Sequence, residues 1–238
     1  MEFDFTLARQ CLQFSARAYN EATFADARTS TEVLLQEIEE GTFLIAFRGS
    51  REPKDYIYDA KFIGKTTWDE STDKRVHRGF ANGFFAVSQA VAQAVQNAQR
   101  IIVTGHSLGG AEAFLCALFL NERKLPVTDV ITFGAPRPGN AAFAQAYDLY
   151  LHNATLRFEA QGDSVPWMPP WLAGYRHLGR CAYLKNDGRV DVDPPLLAHV
   201  PAFAQQIGQL RTQPTAEFLG LFNPHFIANY ERLFSQLA

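Results

Sequence analysis

Gly105-His106-Ser107-Leu108-Gly109-Gly110 sets one hydroxyl between glycines, a G-x-S-x-G arrangement that does chemistry when it lies between a strand and a helix. The flanking run 100–104 is apolar and strand-like, and 108–121 has helical spacing, so that context is present. In such a turn Gly105 and Gly109 remove side chains where strand and helix pass close together. Ser107 is then lifted clear of the sheet, and the helix amino terminus points free N–H groups at a developing oxyanion. The plain alternative is a glycine-rich turn with no chemistry. A serine hydroxyl is a poor nucleophile and needs a base, which in turn needs an orienting acid. Six histidines compete. His106 sits inside the motif and does not readily turn back onto Ser107, while His77, His152 and His177 lie at element boundaries where structural histidines are common. His199 and His225 come late enough for Ser…Asp…His order. His225, after Pro224 at the start of a helix, is preferred. Asp163 is the preferred acid because it lies just past strand 155–159, at the sheet edge where sites assemble; a turn-forming role after Gly162 is its alternative. Asp187, Asp191 and Asp193 also fit the order, but Asn186-Asp187-Gly188 reads as a turn. These acids lack the ligand spacing of a calcium loop, so no metal is expected.

The elements that must position these groups alternate between strand and helix. A helix built on Phe5, Ala8, Leu12, Ser15 and Tyr19 opens the chain. A hairpin of 33–38 and Thr42–Phe47 around Glu39-Glu40-Gly41 follows. Phe84, Val87, Val91 and Val95 share a helix face, and the helix after Ser107 carries Ala111, Leu115 and Leu118 on one stripe. Strand 130–133, helix 141–150 and strand 155–159 complete a βαβ series, which predicts a mostly parallel sheet. Residues 181–185 and 189–192 flank the Asn186-Asp187-Gly188 turn, and helices are expected near 197–207 and 224–237. One domain over 1–238 is expected, with no repeat, low-complexity stretch or linker.

Composition narrows the classes. With 238 residues, 47% hydrophobic and 20% charged, the chain can bury a sizeable core and is not a disordered or fibrous protein. A balance of 22 basic against 25 acidic residues, without a basic run, argues against nucleic acid as a partner. The longest apolar run is far below the roughly 20 residues of a membrane span. Met1-Glu2-Phe3-Asp4 lacks the positive charge of a secretory leader, and Cys11, Cys116 and Cys181 are an odd set without C-x-x-C spacing. Together these give the expectation of a cytoplasmic protein with reduced thiols. Nothing demands more than a monomer.

Several segments taken together resemble the fungal-type class three lipase family of α/β-hydrolases. They are Phe47-Arg48-Gly49-Ser50, His77-Arg78-Gly79-Phe80, the Ser107 motif, Phe133-Gly134-Ala135-Pro136-Arg137-Pro138-Gly139-Asn140, Gly162-Asp163-Ser164-Val165-Pro166, and His225 with Tyr230. They run in order from about residue 43 to 230. The resemblance implies the α/β-hydrolase fold, a mostly parallel sheet with helices on both faces. It implies Ser107 as nucleophile, Asp163 as acid, His225 as base, and an oxyanion hole from Ser50 and the Leu108 N–H. No cofactor is implied. The partners implied are an ester or lipid substrate and transient contact with a lipid interface. Residues 51–71 stand where these lipases carry a lid, and read either as a lid with Tyr56 at an apolar lip or as a surface crossover. Trp167 and Trp171, just after Asp163, are candidates to line an acyl or alcohol pocket; a loop packed by its own aromatics is the alternative. The expected activity is carboxylic-ester hydrolysis on acylglycerols or simpler esters. A phospholipase, galactolipase, feruloyl-type esterase or a catalytically silent binding module are the alternatives.

Overall fold

Period-two alternation makes each inner strand two-faced. On strand Thr42–Phe47, Leu44 and Ala46 face one way while Ile45 and Phe47 face the other, and all four are fully buried. A strand apolar on both faces must be covered on both, and parallel sheets are built that way. A computed structural model describes residues 5–50, 64–195 and 223–237. In it an eight-stranded sheet runs in the order β1 (Phe24–Asp26), β2 (Thr31–Glu39), β3 (Thr42–Phe47), β6 (Arg100–His106), β7 (Val127–Phe133), β9 (Thr155–Ala160), β11 (Arg180–Leu184), β12 (Val190–Val192). The five strands from β3 to β11 are mutually parallel, and antiparallel strands close both edges.

Helices α2 (Arg78–Ala94), α3 (Leu108–Glu122) and α4 (Ala141–Leu151) pack on one face against Ile45, Phe47, Ile101, Val103 and Val130. Helices α1 (Phe5–Arg17) and α5 (Ile227–Ser235) cover the other, over Leu44, Ile102, Phe133 and Phe158. This is the expected α/β architecture. Helix α3 differs from its expected single stripe: every residue from Gly109 to Leu120 is buried, because the helix is enclosed by the sheet, α2 and α4.

A second sheet, β10-β8-β5-β4, is not legible in the sequence, since strands of two or three residues carry no periodicity. It comprises β4 (Lys65–Thr67), β5 (Arg75–His77), β8 (Gly139–Asn140) and β10 (Tyr175–Arg176). The sheet ties His77-Arg78-Gly79-Phe80 to Pro138-Gly139-Asn140: Val76 pairs with Gly139, and the His77 N–H donates to the Pro138 carbonyl at 2.8 Å. Of the expected 51–71 lid or crossover, residues 51–63 lie outside the described residues. Residues 65–67 form β4, paired with β5, and the Trp68 ring packs on Phe84, Phe85 and Phe143. The expected helix near 197–207 and His199 also lie outside the described residues. The last expected helix is split: Asn223–His225 is a 3₁₀ turn, and extended Phe226 (φ −61°, ψ 142°) separates it from α5. No helix among the described residues is long and apolar enough to cross a membrane.

Candidate active site

Strand β6 hands the chain directly to α3 through one residue. Ser107 has φ 58° and ψ −129°, in the left-handed region that L residues enter only at a cost of about 1–3 kcal/mol when surrounding structure enforces it. Two glycines enforce it here. A Cβ on Gly105 would lie 2.4 Å from the Gly109 carbonyl, and one on Gly109 would lie 2.1 Å from the Phe47 carbonyl oxygen. The backbone closes the turn with the Ser107 N–H donating to Phe133 O and the Gly110 N–H donating to Ser107 O, both at 2.9 Å.

Asp163 follows β9, in the loop before the 3₁₀ turn Val165–Trp167, and His225 ends the turn that precedes α5. These two segments lie 62 residues apart in the chain, yet they meet Ser107. His225 Nε2 lies 2.8 Å from Ser107 Oγ, and its Nδ1 lies 3.0 and 2.9 Å from the two Asp163 oxygens. All three side chains are buried. Because a carboxylate only accepts, Nδ1 carries the proton toward Asp163, leaving Nε2 to accept from the serine hydroxyl.

Asp163 has further donors. The Val165 N–H reaches Oδ1 at 2.9 Å, and the Tyr230 hydroxyl donates to Oδ2 at 2.6 Å while accepting the Ala160 N–H at 3.1 Å. Burial, then the adjacent Asp163 charge, push the Tyr230 phenol well above its usual range, so it stays a donor. The role of Tyr230 was not legible beyond its place in the family pattern. Its signal is spacing, one turn beyond His225 on the helix that closes over β9. Arg137 is a second residue that the sequence places only within the family pattern, without a role. Buried, with its pKa drawn down to about 10 by desolvation, it donates to the carbonyls of Trp167 and Pro169 (3.0 Å to the latter) and so holds the loop after Asp163.

The other sequence candidates lie as follows. Leu108 is the first residue of α3, whose opening N–H groups have no intrahelical acceptor. Ser50 follows Gly49, where a Cβ would stand 3.2 Å from Ser107 Cβ, so the arm leaving β3 passes directly beside Ser107. Tyr56 lies outside the described residues. Trp167 is half-buried with the Arg137 guanidinium 5.9 Å from its ring. Trp171, in the 3₁₀ turn Trp171–Ala173, is 56% exposed with Arg176 6.0 Å from its ring. The remaining histidines and acids have other partners. His77 caps α2 by accepting the Phe80 N–H (3.3 Å), and His152 pairs with Asp148 (3.4 Å). His177 lies 3.0 Å from Arg157, whose guanidinium also pairs with Glu159. Asp187 accepts the Arg189 N–H (3.1 Å), Asp191 pairs with Lys185 (2.6 Å), and Asp193 accepts the Cys181 N–H (2.8 Å). The described residues contain no His, Cys, Asp and Glu cluster suited to a metal ion.

A sheet of this strand order, with the serine on the strand-to-helix elbow, an acid after a later strand and a histidine near the end, is an α/β-hydrolase. Residues 44–173 match the class 3 lipase family, more than half of the chain, and the chain belongs to that family. It is 34% identical over 156 residues to the secreted mono- and diacylglycerol lipase 1 of Fusarium solani, covering 63% of this chain and 46% of that protein. It is 33% identical over 150 residues to the lipase of Rhizomucor miehei, covering 59% and 41%. Its fold superposes with a TM-score of 0.69 on a triacylglycerol lipase whose catalytic centre is described as a serine protease triad, at 25% identity over 81% of this chain and 84% of that one. The chain thus spans under half the length of the two sequence relatives. The Fusarium relative is named as secreted, which overturns the expectation of a cytoplasmic protein. Buried thiols do not report the redox compartment. Cys11, Cys116 and Cys181 are all buried, and burial pushes the thiols of Cys116 and Cys181 up, so oxidising surroundings find no thiolate there to attack.

Proposed function

We propose that this protein is a serine carboxylic-ester hydrolase acting on acylglycerols or simpler carboxylic esters, with Ser107 as nucleophile, His225 as base and Asp163 as its orienting acid. The observation that carries the reading is the continuous chain of short contacts from Ser107 Oγ through His225 to Asp163, 2.8 Å and 2.9 Å, in a buried site. Ser107 Oγ attacks the ester carbonyl as its proton passes to His225 Nε2. The Nδ1–H to Asp163 bond holds the tautomer that can accept this proton and stabilises the imidazolium. The tetrahedral oxyanion is held by the Leu108 N–H with Ser50, whose arm runs beside the nucleophile. Collapse expels the alcohol, which takes the proton from His225. Water then repeats the cycle on the acyl-enzyme and releases the acid. The mono- and diacylglycerol specificity named for the Fusarium relative makes partial acylglycerols the first natural substrates to offer. A lipid interface is the expected partner, and Trp171 and Leu172, 56% and 80% exposed, are the apolar side chains offered to it beside the Asp163 loop.

The test is hydrolysis of p-nitrophenyl esters of graded acyl length by wild type and Ser107→Ala, below and above substrate aggregation, with covalent labelling by a phosphonate probe. Activity and labelling that vanish together in the folded variant are expected. A wild type that neither turns over esters nor takes the label would make the chain a silent hydrolase-fold binding module.

A further inference from the structure

His106 precedes the nucleophile, so its side chain and that of Ser107 leave the backbone in different directions. Ser107 Oγ meets the ring of His225. His106 Nε2 meets the main chain of the same residue, 2.7 Å from the His225 carbonyl oxygen, and the two imidazoles stack at 4.8 Å and 28°. A carbonyl oxygen only accepts, so Nε2 of His106 must carry a proton. Its Nδ1 lies 2.8 Å from the Tyr19 hydroxyl, and in the neutral ring that nitrogen must accept. Tyr19 sits just past the end of α1. Its hydroxyl also occupies the space that a Cβ on Gly49 would need, 2.2 Å from that position, with the His106 carbonyl 2.7 Å away on the same side. One tyrosine and one histidine therefore touch the oxyanion arm, the nucleophile elbow and the backbone of the base.

We propose that Tyr19 and His106 form a positioning relay, in which the Tyr19 hydroxyl donates to His106 Nδ1 and the His106 Nε2–H grips the His225 carbonyl, fixing where the base stands relative to Ser107. This rests on the ester-hydrolase reading above. Burial, with the nearby His225, holds the His106 pKa down to about 3, so the ring keeps the neutral tautomer the relay requires. The groups facing it are Tyr19, His225, Asp163 and, edge-on at 5.8 Å, Tyr230. The role is orientation. A 3₁₀ turn of three residues has few bonds of its own, and small misplacements of a base cost large factors in rate.

The experiment compares wild type with His106→Leu, His106→Gln and Tyr19→Phe on a soluble p-nitrophenyl ester, recording kcat and KM separately, with thermal unfolding as the control for folding. His106→Leu should lower kcat about 30- to 100-fold with KM within about twofold. His106→Gln, whose amide nitrogen reaches about as far as Nε2, should restore kcat to within about tenfold of wild type, and Tyr19→Phe should lose about threefold to tenfold. In nitrogen NMR of the wild type, His106 should appear as a neutral Nε2–H tautomer that does not titrate from pH 5 to 8. Wild-type kcat in His106→Leu, a folded Gln variant no better than Leu, or a titrating or Nδ1–H ring would each overturn the relay while leaving the ester-hydrolase reading standing. A wild type that neither hydrolyses esters nor takes a phosphonate label would overturn both.

Discussion

Two buried carboxyl groups flank the Ser107 elbow, and their surroundings are opposites. Asp163 faces donors on every side: the His225 ring, the Tyr230 hydroxyl and the Val165 N–H. Among the described residues Glu112, one turn into α3 from Ser107 and 1% exposed, has a single hydrogen bond, accepted by Oε1 from the Thr31 hydroxyl at 3.3 Å, while Oε2 finds no partner there. Arg48 is near enough to be felt but is spent elsewhere, on Glu32 at 2.5 Å and the Ser30 carbonyl at 2.8 Å. Desolvation therefore wins at Glu112 and lifts its pKa to about 8, against the smaller lowering by Thr31 and Arg48. Burial alone does not make a carboxyl group useful to a base. Donors arranged around it do, and only Asp163 has them.

The sharpest way to break this comparison is Asp163→Asn. An amide in that place leaves the packing intact but presents an NH₂ to His225 Nδ1, which favours the wrong tautomer; kcat should fall about 10⁴-fold with KM little changed. A folded variant within tenfold of wild type would mean that Asp163 orients nothing. Tyr230→Phe asks how much of the arrangement depends on a single donor. It removes the 2.6 Å bond to Asp163 and leaves the Ala160 N–H without its acceptor. A tenfold drop in kcat is expected, with loss of about 1–3 kcal/mol in denaturant unfolding, the usual cost of a buried donor left unmatched. Unchanged kcat with the stability loss alone would reduce Tyr230 to a structural pin.

The two carboxyl groups also mark what a sequence discloses. The parallel core was readable because Leu44–Phe47 and Ile101–Val103 are apolar on both faces, and the elbow because Gly105 and Gly109 sit where no Cβ fits. Asp163 and His225 stood out by chain order and by their place at element ends. Tyr19, Arg137 and Glu112 did not, because their partners are 87, 30 and 81 residues away and leave no local pattern. His106 does not stand out either, because beside Ser107 it does not turn back onto the hydroxyl, and its contact is to a carbonyl 119 residues on, which composition and spacing do not encode. The short second sheet escaped for the same reason, its pairing being set by distant strands of two or three residues.

Glu112→Gln gives the smallest effect on turnover and the cleanest test of the contrast. Glutamine has the shape of the protonated acid and keeps an acceptor for Thr31, so kcat at neutral pH should stay within about twofold of wild type. Stability should separate with pH. In the unfolded chain the carboxyl ionises near its ordinary 4.5, whereas in the folded protein it holds its proton to about 8. Between these values the folded state binds more protons, so wild-type stability must fall as pH rises through this window and level off above it. The variant has no such proton to hold and should match wild type below about pH 4.5, then exceed it by on the order of a few kcal/mol at pH 8. Urea unfolding of both proteins at pH 4.5, 6 and 8 measures the divergence. Parallel curves would show that Glu112 finds in the folded protein a donor as good as water, and the distinction between the two buried carboxyl groups would then rest on Asp163's contact with the base alone.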